Sequence, residues 1–331
     1  MFSIHSPKIW DKLRPVSDST YWNRRRVLKG LGVVAGSLIA GPALGACSES
    51  SKNSEDIEMG ENHFTFNGIE NYFPGKSNTK YILDREITEK YAATHTNNFY
   101  EFIDPSDPNI YNAYKYVDLF DNRDWKFTVE GLANNTGTFY LEEMIKKFGQ
   151  EERNYRFRCV ERWSMAVPWT GIPLAKMIRF FEPTNKAKYI RMVSFADKDQ
   201  MTGVKNQPWY PWPYYEGLRM DEAMNELTLM VTGIFGEPLP KQNGAPMRLI
   251  VPWKYGYKSV KSIVKIEFVD KEPGTFWNKL NPDEYGFYSN IDPEVPHPRW
   301  SQAQERMLPN GDWRPTLPFN GYGEYVASMY K

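Results

Sequence analysis

Two residue types that usually hold cofactors are scarce in this chain of 331 residues. It has two cysteines, Cys47 and Cys159, and four histidines. The histidines are scattered, and no His/Cys cluster has zinc spacing. There is no C-x-x-C-H haem attachment and no C-x-x-C redox pair. Nor is there a G-x-S-x-G nucleophile elbow or a phosphate-binding P-loop. Any cofactor must therefore be held by very few strong ligands. An excess of one charge is also lacking, with 41 Lys and Arg against 41 Asp and Glu. Residues 1–46 hold seven of the former and two of the latter, so the remainder carries 34 basic and 39 acidic residues, a net charge of −5. No concentrated basic surface is expected, which argues against a nucleic-acid partner. No stretch after Cys47 approaches the roughly 20 apolar residues of a membrane span. No internal repeat is present.

The N-terminus is more telling. Asn23-Arg24-Arg25-Arg26-Val27-Leu28-Lys29 has paired arginines, an apolar pair and a lysine, followed by an uncharged, glycine-broken run from Gly30 to Ala46. This is the pattern of a bacterial twin-arginine export signal, a route that carries proteins already folded around a cofactor. Gly30-Leu31-Gly32-Val33-Val34-Ala35 mimics a dinucleotide-binding turn, but three arginines stand where a strand is required. Leu44-Gly45-Ala46-Cys47 resembles a lipobox, which would make Cys47 a lipid anchor. The polar residues after it cannot bury enough surface to fold. The expected organisation is a signal at 1–46, an anchor and tether at 47–75, and one catalytic domain at 76–331.

Periodicity sketches the domain. Trp125–Gly131 alternates apolar and polar residues and predicts a strand. Leu141, Met144, Ile145 and Phe148 share a helical face. Further strands are expected at Tyr155–Glu161, Tyr189–Phe195, Met247–Pro252 and Ser262–Val269, with short helices at Leu174–Phe181 and Asp221–Glu226. Residues 203–216 read as an aromatic, proline-rich loop. It either lines an entrance through Trp209, Tyr210, Trp212 and Tyr214 or packs on the core. The irregular mixture predicts an α+β fold rather than a doubly wound sheet.

The most informative segment is Arg156-Phe157-Arg158-Cys159-Val160-Glu161-Arg162-Trp163-Ser164. A lone strand cysteine is usually a small buried hydrophobe. Here three arginines surround it, and neighbouring positive charge favours the thiolate, the metal-binding form. In an extended strand Glu161 would project to the same face as Cys159. On composition alone Arg248 and Lys261 read as surface charge, and Asn243-Gly244 as a turn.

Cys159-Val160-Glu161-x-Trp163-Ser164-Met165 resembles the metal-binding segment of the sulfite-oxidase-fold molybdopterin enzymes, and most closely their periplasmic methionine-sulfoxide reductase branch. The resemblance extends to Asn97–Phe102, Gln242–Gly256, Lys258–Ile263, Asp283–Tyr288 and His297–Gln302. It implies a sulfite-oxidase-type domain without a separate C-terminal dimerisation domain. It also implies molybdenum on a pyranopterin that carries no nucleotide, with Cys159 as protein ligand and Asn98 and Glu161 at the metal's open side. Asn97, Tyr100, Glu101, Ser194, Asn243, Arg248, Ser259, Val260 and Lys261 would hold the pterin and its phosphate. Ser194 stands where the family usually has threonine. The implied activity is reduction of methionine sulfoxide in oxidised periplasmic proteins. Electrons would come from a membrane-bound b-type haem subunit and the quinone pool. A sulfite dehydrogenase on the same fold, or a lipid-anchored binding protein without chemistry, are the alternatives to be separated.

Overall fold

A computed structural model describes residues 69–107 and 109–331. The export signal, the lipobox and most of the tether lie outside the described residues. The last residues assigned to the tether, 69–75, pack on the domain. Ile69 is buried, and the Phe73 ring lies against Gly233. All described residues belong to one compact unit. Among them no helix is long and apolar enough to cross a membrane.

Two sheets organise the domain, giving the expected mixed α+β class. One runs β1 (Lys76–Ser77), β4 (Glu151–Arg158), β5 (Trp163–Pro173), β12 (Gln304–Met307), β13 (Trp313–Pro315). On β5 also sits β8 (Leu229–Ile234), which carries β9 (Glu237–Pro238) and β10 (Arg248–Ile250). The second sheet runs β3 (Gly137–Tyr140), β2 (Lys126–Gly131), β11 (Ile263–Val269), β6 (Tyr189–Ser194), β7 (Tyr215–Arg219). β2 follows its alternation, with Phe127 and Val129 buried and Lys126 exposed. β5 and β8 are buried on both faces instead, so no alternation marks them and periodicity misses both.

Besides several 3-10 turns, seven short α-helices are described. They are α1 (Lys90–His95), α2 (Leu141–Phe148), α3 (Leu174–Phe181), α4 (Thr202–Asn206), α5 (Met220–Met224), α6 (Phe276–Leu280) and α7 (Gly323–Val326). α2 has the predicted bounds. It buries Leu141, Met144 and Ile145, begins with Glu142 and Glu143, ends with Lys146 and Lys147, and stops at Gly149.

Two expectations are corrected. The strand read through Glu161 ends at Arg158, and residues 160–162 form the turn of the β4–β5 hairpin. The Cys159 N–H donates to Trp163 O, and the Arg162 N–H to Cys159 O. Arg162 takes a positive φ of 75° to close the turn. Residues 203–216 are not one loop, because α4 opens the segment and β7 closes it. Between them Tyr210, Trp212 and Tyr214 pack around Phe276 with tilted rings, so most of the segment packs on the core; Tyr214 also lines the cavity described below, and Trp209 is exposed.

Candidate active site

One cavity, with room for about 70 Å³ of water-sized occupancy, gathers segments distant in sequence. Its walls come from the stretch after α1, the β4–β5 turn, the start of β10 and the loop at 256–261. Of the residues singled out in the sequence, Asn97, Asn98, Tyr100, Glu101, Cys159, Glu161, Asn243, Arg248, Ser259 and Lys261 line it. Ser194 stands one layer back, its Oγ donating to Glu101 Oε1 at 3.1 Å. Val260 is buried away from the wall, and its carbonyl accepts from the Leu249 N–H.

Local geometry explains why these residues converge. The carbonyls near the end of α1 need partners. Asn97 Nδ2 donates to Thr94 O and Asn243 Nδ2 to Ala93 O, each at 3.2 Å. Both side-chain oxygens, Asn97 Oδ1 and Asn243 Oδ1, are then left buried without a donor. Gly244 follows with φ of 98°, and a Cβ there would meet Lys261 Cβ at 2.8 Å. Gly203 allows α4 to lie directly on the 100–101 backbone, since a Cβ would come within 1.9 Å of Tyr100 O.

The cavity's chemistry is uneven. At one end are two cations, Arg248 buried and Lys261 half-buried; neither has a carboxylate in salt-bridge contact among the described residues, though Glu101 acts on Lys261 through space. Arg248 Nη1 donates to Asn243 O at 2.9 Å and Nη2 to Ser259 O at 3.4 Å, and its guanidinium lies over the Phe157 and Trp169 rings. Burial pulls its pKa down to about 9. Lys261 Nζ donates to Asn98 O at 2.9 Å, and burial together with Arg248 lowers its pKa to about 8. A buried cation without a counter-charge, as Arg248 is, is costly, so this end is suited to receive an anion.

At the other end sits the thiol. The Glu161 N–H donates to Cys159 Sγ at 3.4 Å. Sulfur and carboxylate therefore share the cavity, as expected, although a turn rather than an extended strand brings them together. Glu161 Oε2 accepts from Asn98 Nδ2 at 2.9 Å and from Tyr111 Oη at 3.0 Å. Burial raises the Glu161 pKa. The net shift of the thiol is upward, against what three arginines suggested: of the three only Arg158 is among the groups that pull it down, and it is outweighed. Arg156 is taken by Asp84 and Asn320 O, Arg158 by Gln302 and Cys159 O, and Arg162 lies over the Trp313 ring. Burial and Glu161 instead push the Cys159 thiol far up. Its thiolate requires a compensating cation in contact, which is what a bound metal supplies.

The donor set thus fits a pterin with a phosphate and a metal. Two unpaired amide oxygens can accept from ring N–H groups, two cations can hold a phosphate, and one thiol can ligate. Tyr111, Phe157, Trp163, Tyr257 and Tyr285 also border the thiol or the cavity, and sequence reasoning assigned them nothing. Tyr285 lies inside a stretch that carried the family resemblance, and Phe157 is two residues from Cys159.

Residues 114–277 match the family described as oxidoreductase molybdopterin binding domain. The fold and the cavity therefore define a molybdopterin-binding oxidoreductase. The protein-methionine-sulfoxide reductase catalytic subunit MsrP of Burkholderia mallei is 44% identical over 319 residues, 95% of this chain and 90% of that protein. The MsrP of Xanthomonas axonopodis pv. citri is 44% identical over 95% and 92%. That of Ralstonia nicotianae is 50% identical over 78% and 79%. This chain belongs to the family of protein-methionine-sulfoxide reductase catalytic subunits. A remote likeness joins it to the crystal structure of the sulfane dehydrogenase SoxCD from Paracoccus pantotrophus, with 16% identity, a TM-score of 0.40, and coverage of 59% of this chain and 45% of that one.

Proposed function

We propose that the protein is a molybdenum-dependent reductase that returns methionine sulfoxide in oxidised envelope proteins to methionine. The observation that carries this reading is the cavity itself, where a thiol and a half-buried carboxyl share one space with Arg248, a buried cation without a salt-bridge partner, and Lys261. Cys159 would ligate the metal. Asn97, Tyr100, Glu101, Asn243, Arg248, Ser259 and Lys261 would hold the pterin and phosphate directly, Ser194 through Glu101, and Val260 through its backbone. With positive charge confined to Arg248 and Lys261, a pyranopterin bearing one phosphate and no nucleotide is the form that suits the cavity. When bound, this group supplies two-electron oxygen-atom transfer.

The chain supplies placement and protons. Burial favours the neutral form of Glu161, so the carboxyl can hand a proton to the oxygen leaving the sulfoxide. Asn98 holds that carboxyl from one side. When ionised, the same carboxylate would repel sulfite, a dianion, but not a neutral sulfoxide. The deciding experiment uses one preparation of known molybdenum and pterin content. It compares kcat/KM for methionine sulfoxide reduction with that for sulfite oxidation, in the parent and in Glu161→Gln. Sulfoxide reduction should dominate in the parent and fall in the variant. Efficient sulfite oxidation by the parent would overturn the reading, and a protein without molybdenum would point to a binding function.

The twin-arginine pattern at Asn23–Lys29 supports export of the loaded protein to the periplasm, with residues 1–46 as signal and 76–331 as catalytic domain. Electrons would come from a membrane-bound b-type haem subunit fed by the quinone pool. Cys47 would be lipidated. Mass spectrometry of the mature N-terminus checks this, and an unmodified terminus at another residue refutes it.

A further inference from the structure

We infer that Tyr111 is a positioning residue that, with Asn98, clamps Glu161 through Oε2 and leaves Oε1 as the oxygen presented to the cavity. The inference rests on the proposed function for what Glu161 does, but its geometry stands independently. Tyr111 lies outside the matched domain at 114–277, and no stretch that carried the family resemblance includes it.

The backbone around Tyr111 is fixed. Its N–H donates to Asn109 Oδ1 at 3.0 Å. Asn112 Nδ2 reaches both Asp107 carboxylate oxygens at 3.1 Å, and Asn112 bridges to Asn97. Tyr111 is thereby held beside the 97–98 segment that walls the cavity. Its ring, 8% exposed, meets Trp163 edge to face at 6.5 Å. Burial and the neighbouring carboxylate raise its pKa, so the hydroxyl keeps the proton it donates.

The second donor is oriented independently. Trp163 Nε1–H can only donate, and it gives its hydrogen to Asn98 Oδ1 at 3.2 Å. The Asn98 amide nitrogen must then face the other way, toward Glu161. Both donors converge on Oε2, at 2.9 and 3.0 Å. Oε1 takes no hydrogen bond from the described residues. Meanwhile the Glu161 N–H is tied to Cys159 Sγ at 3.4 Å. One end of Glu161 is thus fixed to the sulfur and the other to the Tyr111–Asn98 pair. Whatever Glu161 exchanges with a molecule in the cavity passes through Oε1, at a set position from the thiol. A glutamate without the clamp would spread over several rotamers.

Tyr111→Phe keeps the ring and its contact with Trp163 and removes one donor. Its kcat for methionine sulfoxide should fall about tenfold, a part of the ~10²–10⁴ that a placed acid contributes. KM should stay within about twofold, a split expected when an interaction of the reacting state is lost. Molybdenum content and thermal midpoint should not change. In a Glu161→Gln background the same substitution should have no further effect. A crystal structure of Tyr111→Phe should show the Glu161 carboxyl turned away from Asn98, a readout that needs no turnover. Parent-like kcat with an unmoved carboxyl would overturn the inference and leave the functional reading intact. An equal loss in the Glu161→Gln background, or a loss that follows molybdenum content, would also overturn it. A loaded parent enzyme that reduces no sulfoxide would overturn the functional reading instead, and the crystal structure would still decide the clamp.

Discussion

Replacing Arg248 by methionine should separate the cost of the cofactor cradle from its purpose. Arg248 is 2% exposed, donates to main-chain carbonyls and has no carboxylate in salt-bridge contact. Its pKa falls from 12.5 to about 9 because burial penalises the charge. Between those two values the unfolded chain binds more protons than the folded one, so folding stability rises with pH across that window. At neutral pH the cofactor-free protein bears the whole penalty. Methionine fills similar space between the Phe157 and Trp169 rings without charge. The cofactor-free variant should therefore be at least as stable as the parent in urea. A charge-assisted contact to phosphate contributes about 1.5–3 kcal/mol, so cofactor retention should weaken roughly 10- to 150-fold. The assay is molybdenum content after extended dialysis, with activity normalised to bound metal. Full retention combined with a large loss of rate per molybdenum would refute the anchoring role. Marked destabilisation of the cofactor-free variant would refute the account of the uncompensated charge.

Cys159→Ala and Cys159→Ser should abolish sulfoxide reduction, while pterin stays bound through the other contacts; full turnover by either would remove Cys159 from its role. Lys258→Met should destabilise the fold by about 3 kcal/mol in denaturant unfolding, because it strands Glu216, buried and 2.6 Å from Lys258 Nζ. Lys258→Met with Glu216→Leu should recover most of that loss, and a single variant as stable as the parent would contradict it. His297 has its pKa lowered from 6.5 to about 4, mainly by burial, with Glu284 already engaged by Arg299. The unfolded chain then binds the extra proton between those values, so stability is lost as pH falls from 6.5 toward 4. His297→Gln should flatten that part of the pH–stability curve, and an unchanged slope would remove His297 from it.

The parts legible in the sequence were those whose signal is local. α2 and α3 kept their predicted bounds because amphipathic spacing is complete within eight residues. β2 alternates because only one of its faces is covered, and β11 does so from Ile266 onward, past an irregularity between Ile263 and Lys265. β5 and β8 were invisible for the opposite reason, since a strand covered on both faces has no period to read. The site divides in the same way. Asn97, Asn243, Arg248 and Lys261 look like turn and surface residues one at a time. Only the fold shows that two amide oxygens go unpaired and that Arg248 is buried without a salt-bridge partner.

Cys159 and Glu161 show how a correct pairing can follow from the wrong geometry. Residues i and i+2 share a face in a strand, but β4 has already ended at Arg158. The turn delivers the same neighbours by another route, because the Glu161 N–H folds back onto the sulfur. In a strand the three arginines, all at odd offsets from Cys159, would stand on the opposite face. The turn and the packing around it send Arg156 to Asp84, Arg158 to Gln302 and Arg162 to Trp313. Burial, and among charged groups Glu161 most strongly, then drive the thiol pKa upward. A surface thiolate primed by arginines would react with any oxidant that reached it. Here burial and Glu161 favour the protonated thiol, the less reactive form, so the same turn that pairs it with Glu161 also makes it a poor target for oxidants.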